Sequence, residues 1–146
     1  MYDAGGGTGE MTRALASLGH QVTLNDVSAD SLAVAKEKCS DYTNISYRHS
    51  SIQAFPEEQK FDLVVCHAVL EWVSDAHELL DKLGTLLKPG GFLSLSFYNK
   101  DAQLFNNMLY GNFDFVQEGM KKRNQVRLTP HSPAVSYTHL RAHETV

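Results

Sequence analysis

The hydrophobic positions change period along the chain, and the changes mark out its elements. In "EMTRALASLGHQ", Met11, Ala14, Leu15 and Leu18 recur at helical spacing, which predicts a helix with those residues on its inner face. Gly19 follows the last of them and suits a left-handed cap. "QVTLND" reads as a short strand ending at Asp26, and Ser28 opens "SADSLAVAKEKC" as the N-cap of a second helix. Leu32, Ala35 and Cys39 share that helix's inner face. "NISYRHS" alternates like a strand, with Ile45 and Tyr47 on one side. "FDLVVCHAVL" is continuously apolar and β-branched, as a central strand covered on both faces requires. In the third helix, Ala76, Leu79, Leu80, Leu83, Leu86 and Leu87 form one stripe, and Pro89, Gly90 and Gly91 are expected to stop it. "FLSLSFYN" then reads as a strand, "AQLFNNMLYG" as a short helix, and residues 111–130 as a polar loop.

The resulting order, β-α-β-α-β-β-α-β, predicts an α/β protein with a doubly wound, mostly parallel sheet and right-handed crossovers. Ligands of such sheets bind at the carboxyl ends of the strands. The glycines before Glu10, Asp26, the segment after His49, and His67 all fall at such ends. Only "MYDA" precedes the glycines, and "AVSYTHLRAHETV" has no period that matches a core face. The sheet is therefore expected to be truncated at both ends, with a domain over residues 1–130 and an unstructured or non-native tail over 131–146.

Composition narrows the function classes. At 42% hydrophobic and 21% charged residues the chain has a globular composition, and its 146 residues suit one domain. A net charge of −4 argues against a basic nucleic-acid surface over the whole domain, although "KKRNQVR" forms a local cationic cluster. The apolar runs are too short to span a membrane. Cys39 and Cys66 form no CxxC pair and read as buried thiols of a reducing compartment, so a cytoplasmic protein is expected. The two cysteines do not form a metal-binding CxxC pair, and no metal is expected.

The chemistry concentrates in "DAGGGTGE", where Gly5, Gly6, Gly7 and Gly9 crowd between a strand and a helix. Glycine is entropically costly to order, so this density means that something approaches the backbone closely. The dinucleotide fingerprint GxGxxG/A fails here: counted from Gly5, its third position is Glu10, whose carboxylate would repel a pyrophosphate. The spacing present is GxGxG. It suits a smaller ligand without phosphate, such as S-adenosylmethionine. The amino-acid tail's carboxylate would use the turn's N–H groups, Asp3 would suit its ammonium, and Asp26 would accept from the ribose hydroxyls. The plainer alternative is that the glycines make a tight turn and Asp26 begins a helix.

"DAGGGTGE", "GHQVTLNDVSA", "CHAVLEWV", "LKPGGFLSLSFYN" and "GNFDFVQEGMKKR" together resemble the class I S-adenosylmethionine-dependent methyltransferases, which have a Rossmann-like fold. More narrowly, the chain is similar to the tRNA 5-carboxymethoxyuridine methyltransferase family over about residues 2–130. That resemblance implies methylation of the carboxylate of 5-carboxymethoxyuridine at the tRNA wobble position, giving a methyl ester. It further implies cofactor contacts at Gly5 and Gly6, at Asp26 for the ribose, at Ile52 and Gln53 near the adenine, and at His67. A small residue is expected where Ile52 stands, so contact there would run through backbone.

No catalytic base is expected, and substrate positioning falls to Tyr98, Asn99, Lys121, Lys122, Arg123 and Arg127. Each site residue also has a plainer role: His67 as a satisfied strand histidine, and Lys121 to Arg127 as a solvated charge run. A small-molecule O- or N-methyltransferase and a cofactor-binding fragment without turnover are the other functions weighed.

Overall fold

The computed structural model describes residues 1–97, 100–117 and 119. The chain divides into two compact units, residues 1–70 with 75–96, and residues 71–74 with those from Phe97 on.

The first unit is a five-stranded parallel sheet flanked by helices. Its elements run β1 (Tyr2–Ala4), α1 (Glu10–Ser17), β2 (Val22–Asp26), α2 (Ala29–Lys38), β3 (Ile45–His49), β4 (Phe61–His67), α3 (Ala76–Thr85) and β5 (Leu87–Ser96). The strand order is β3-β2-β1-β4-β5. The chain winds outward from β1 to β3, then returns to lay β4 on the other side of β1. The reversal between β1 and β4 is the switch point at which doubly wound sheets open a crevice.

Several expectations hold. Ser28 Oγ accepts from the Ser31 N–H at 3.1 Å, capping α2. Leu32, Ala35 and Cys39 are buried on one face of that helix. Gly19 has φ 86°, the left-handed geometry expected after α1. On β4, Val64, Val65 and Cys66 are buried. Tyr2, on central strand β1, stacks on Phe61 at 5.0 Å between ring centroids and meets Phe55 at 4.5 Å.

Two expectations fail for physical reasons. Helix α1 does not bury the predicted face: Met11 is 38% and Leu18 73% exposed, while Thr12 and Ala16 are buried. On the face that is buried, Thr12 Oγ1 donates to buried Asp3 Oδ2 at 2.6 Å, a partner that apolar spacing does not reveal. Helix α3 ends at Thr85, before Pro89, and Leu87 belongs to β5. Phe61 N–H donates to the Leu86 carbonyl at 2.8 Å, so pairing with β4 captures the chain before the proline is reached. The register then slips, from Phe61↔Leu87 to Leu63↔Phe92, and residues 88–91 form the bulge.

The second unit contains α4 (Lys100–Leu109) and α5 (Phe113–Gln117). The predicted short helix is therefore present, while part of the expected polar loop is helical. Gly111, at φ 74°, closes α4 by donating to the Met108 carbonyl. Asn112 Nδ2 donates to Asn107 Oδ1 at 3.1 Å across the turn between the helices.

Candidate functional site

The site assembles where β1, β2, β3 and β4 end. The turn after β1 places Gly5, Gly7 and Gly9 at positive φ (71°, 54° and 82°), a region that only glycine enters without cost. The structure also shows what each absent Cβ would meet. At Gly5 it would lie 2.6 Å from Val69 Cγ2, and at Gly6 2.7 Å from Asp3 Oδ2. At Gly9 it would lie 3.1 Å from Ala35 Cβ. At Gly7 it would meet nothing within 4 Å. Three of the four glycines are thus demanded by the protein's own packing. Only Gly7 presents an open face to an incoming molecule.

The turn's amides are also committed. Gly5 and Gly6 both donate to the Asn25 carbonyl, at 2.8 and 3.2 Å, and Gly9 donates to the Gly6 carbonyl at 3.0 Å. Gly7 donates to Asp26 Oδ2 at 2.8 Å. The N–H groups of Gly5, Gly6, Gly7 and Gly9 thus already have acceptors inside the fold.

Asp26, at the end of β2, is half-buried. Its Oδ1 accepts from the Ser28 N–H at 2.8 Å while Oδ2 holds Gly7. The two amides fix the carboxylate's orientation. Each oxygen keeps further lone-pair capacity, enough for a pair of hydroxyl donors.

Asp3 is 3% exposed. Burial pushes its carboxyl above the usual range, opposed by hydrogen bonds from the Thr12 side chain and backbone and by the nearby His67, while Asp26 adds to the rise. Asp3 therefore caps α1 from across the turn, where Gly9 offers no side chain to do so. Asp3, Asp26 and His67 lie in the last residues of β1, β2 and β4.

His67 ends β4, half-buried, with Nε2 2.9 Å from Ser94 Oγ on β5. The strand exit beyond it is strained: Ala68 has φ 55°, and its N–H donates to the Ser96 carbonyl at 2.9 Å. This unusual backbone precedes Val69, the residue seated against Gly5. Nothing in the composition or periodicity singled out Val69. The apolar run through "HAVL" predicts a strand that continues to Leu70, whereas β4 ends at His67 because the backbone turns into the left-handed region at Ala68.

Beyond β3, Ile52 is 7% exposed, so its side chain faces the core and it offers a ligand mainly backbone. Gln53 beside it is exposed. Glu10 pairs with Lys38 at 2.5 Å and with Arg13 at 3.8 Å, and the Lys38 ammonium holds its carboxyl below the usual range. Its charge therefore repels an anion less than an unpaired carboxylate would. Tyr98, Asn99, Lys121, Lys122, Arg123 and Arg127 lie outside the described residues, as does the tail over 131–146. Among the described residues there is no group of three or more His, Cys, Asp or Glu suited to a metal, and no helix is long and apolar enough to cross a membrane.

Comparison with known proteins places this geometry. Residues 2–95 match the family described as a methyltransferase domain. The chain is 44% identical over 140 residues to the tRNA 5-carboxymethoxyuridine methyltransferase of Escherichia coli K12, an alignment covering 91% of this chain and 53% of that protein. It is 33% identical over 118 residues to the ubiquinone biosynthesis O-methyltransferase of Glaesserella parasuis, covering 76% of this chain and 50% of that protein. The chain thus spans about half the length of these relatives. Among solved structures, the N-methyltransferase NodS from Bradyrhizobium japonicum WM9, in complex with S-adenosyl-L-homocysteine, shares the fold with a TM-score of 0.59. That match has 26% identity and covers 64% of this chain and 50% of that one.

Proposed function

The chain belongs to the methyltransferase-domain family, with a Rossmann-like parallel sheet, and from that premise we propose that it methylates the carboxylate of 5-carboxymethoxyuridine at the wobble position of tRNA, using S-adenosylmethionine. The observation that carries the substrate is the 44% identity, over 91% of the chain, to a tRNA 5-carboxymethoxyuridine methyltransferase. The turn geometry supports the cofactor but is compatible with methyltransferases of many acceptors.

In this reading the cofactor lies along the open face of Gly7. Asp26 receives the ribose hydroxyls on a carboxylate that two backbone amides have already aimed. Such preorganisation lowers the ordering cost of binding. The cofactor's ammonium sits near Asp3, and the segment carrying Ile52 and Gln53 borders the adenine. Gly5, Gly6 and Gly9 act indirectly, by allowing the backbone to close against Val69, Asp3 and Ala35.

When bound, S-adenosylmethionine supplies an activated methyl group on a sulfonium. A carboxylate acceptor has a reference pKa of about 4, so it is ionised at neutral pH and needs no general base. That agrees with a site whose carboxylates are engaged in holding backbone. The protein's share of the work is orientation and exclusion of water from the nucleophile.

The test is transfer of labelled methyl from S-adenosylmethionine to tRNA bearing free 5-carboxymethoxyuridine, followed by mild base. Label that enters the tRNA and is released as the ester hydrolyses supports the proposal. Label that resists base, or that enters only small-molecule hydroxyl acceptors, overturns it. Those acceptors represent the second reading, a small-molecule O-methyltransferase, favoured by the 33% identity to a ubiquinone biosynthesis O-methyltransferase.

A further inference from the structure

Asn25 is fully buried, and it carries an unusual share of the site's hydrogen bonds. Its Oδ1 accepts from the Tyr2 hydroxyl on β1 at 2.8 Å. Its Nδ2 donates to the carbonyls of Arg48 and Ser50, at 3.1 and 2.8 Å, and to Ser50 Oγ at 3.0 Å, all at the exit of β3. Its own carbonyl takes the amides of Gly5 and Gly6, and the next residue, Asp26, takes that of Gly7. One side chain on β2 therefore ties together the start of β1 and the departure of the segment toward Ile52 and Gln53, while its own backbone anchors the glycine turn.

A buried amide is costly unless satisfied, and here both ends of the side chain are. An apolar residue of similar size would fill the space without joining these segments. The arrangement is specific, because the donors of Nδ2 meet carbonyls that only a donor can satisfy. Asn25 has no exposed surface with which to touch a ligand.

We propose that Asn25 is a positioning residue, holding the glycine turn and the β3 exit in the single arrangement that accepts the cofactor. It acts through Asp26, Gly7 and the 50–53 segment. The proposal rests on the reading that S-adenosylmethionine binds at this turn, and its test separates the two claims.

Asn25→Asp is nearly isosteric. It keeps the acceptor for Tyr2 and removes the donors to Arg48 and Ser50. The measurements are calorimetric affinity for S-adenosylhomocysteine and hydrogen exchange by mass spectrometry, both at a temperature where circular dichroism shows the variant folded. Asn25→Asp is expected to weaken S-adenosylhomocysteine at least about tenfold, because it removes every Nδ2 contact at the β3 exit and sets an acceptor against two carbonyls. It is also expected to speed exchange at residues 5–7 and 50–53 together, with α3 unchanged. A purely structural role would lower the melting temperature and leave the affinity of the folded fraction intact, and that result overturns the proposal. Faster exchange in only one of the two segments also overturns it.

If Asn25→Asp does not fold, Ser50→Ala and Tyr2→Phe each remove one partner and keep the core filled. Each is expected to weaken binding about two- to threefold, and unchanged affinity in both overturns the proposal. Failure of the unaltered protein to bind S-adenosylhomocysteine contradicts the cofactor reading alone, because the exchange measurement still reports whether Asn25 couples the two segments.

Discussion

Two glycine-rich stretches, residues 5–9 and residues 89–91, look alike in the sequence and occupy opposite ends of the sheet. The first follows β1, at the carboxyl ends of the strands. The second lies in the bulge near the start of β5, opposite Phe61 and the beginning of β4. Each has one glycine facing open space, Gly7 in the first and Gly90 in the second. Each also has one pressed against the protein. A Cβ on Gly91 would lie 3.0 Å from the carbonyl oxygens of Lys88 and Phe61, much as a Cβ on Gly6 would strike Asp3. What separates them is their surroundings. Around the first stand two carboxylates held by backbone and a histidine. Beside the second is an exposed Lys88–Asp62 ion pair at 2.9 Å, which is worth little. Glycine density thus reports close backbone packing in both places. The ligand assignment comes from the end of the sheet and from Asp26.

The largest effect that would sharpen this contrast is expected from matched alanine substitutions. Gly6→Ala drives a methyl into Asp3, which is buried and bonded to Thr12, and should cost about 3 kcal/mol of stability and abolish cofactor binding. Gly91→Ala should cost about 1–2 kcal/mol through its carbonyl contacts and leave the affinity of the folded protein unchanged. Chemical denaturation with calorimetry distinguishes them. Loss of binding in Gly91→Ala would break the comparison.

Next in size, Asp26→Ala should weaken S-adenosylhomocysteine roughly 10–100-fold, the range for hydrogen bonds to a charged group. Its cost to stability should be smaller, about 1 kcal/mol, from the lost acceptors of Gly7 and Ser28.

Asp3 gives a pH-dependent test. Burial raises its carboxyl in the folded state, so the folded protein holds that proton to higher pH than the unfolded chain. Asp3's contribution to stability is therefore full below the ordinary carboxyl value of about 4 and is lost as pH rises through the elevated one. Asp3→Asn stays neutral and keeps an acceptor for Thr12. It should gain stability relative to the unaltered protein as pH rises from about 3 to 7, while binding the cofactor more weakly. Thermal melts across that range measure it, and a gap independent of pH would contradict the assignment.

The smallest effect is expected at Ala68. Its left-handed backbone is unfavourable for alanine and free for glycine, so Ala68→Gly should stabilise by about 0.5 kcal/mol after the entropy that glycine adds to the unfolded chain. A destabilised variant would show that the Ala68 methyl, rather than its backbone, matters to the β4 exit.

Much of the fold was legible because it follows from local rules. Ser28 is a hydroxyl before a helical run, Gly19 follows one, and the apolar run through Val64 to Cys66 has the character of a covered strand. On α1 apolar spacing points to Met11 and Leu18, while the buried face carries Thr12, whose hydroxyl finds Asp3 across the glycine turn. The end of α3 was misplaced because pairing with β4 outcompeted a nearby proline, and pairing partners are not visible in a linear reading. In the site, Asp26 stood out as a carboxylate closing a strand. Val69 and Asn25 did not, since one looks like ordinary core and the other like a polar strand residue until the chain folds back on them.

The most direct test of the central claim is an amide NMR titration of the isotopically labelled protein with S-adenosylhomocysteine. The account predicts that the Gly7 and Asp26 resonances shift first and furthest, saturating with the calorimetric affinity, while Gly90 and Gly91 stay still. Saturable binding that leaves Gly7 and Asp26 unmoved, or that moves the residue 89–91 bulge instead, would contradict it.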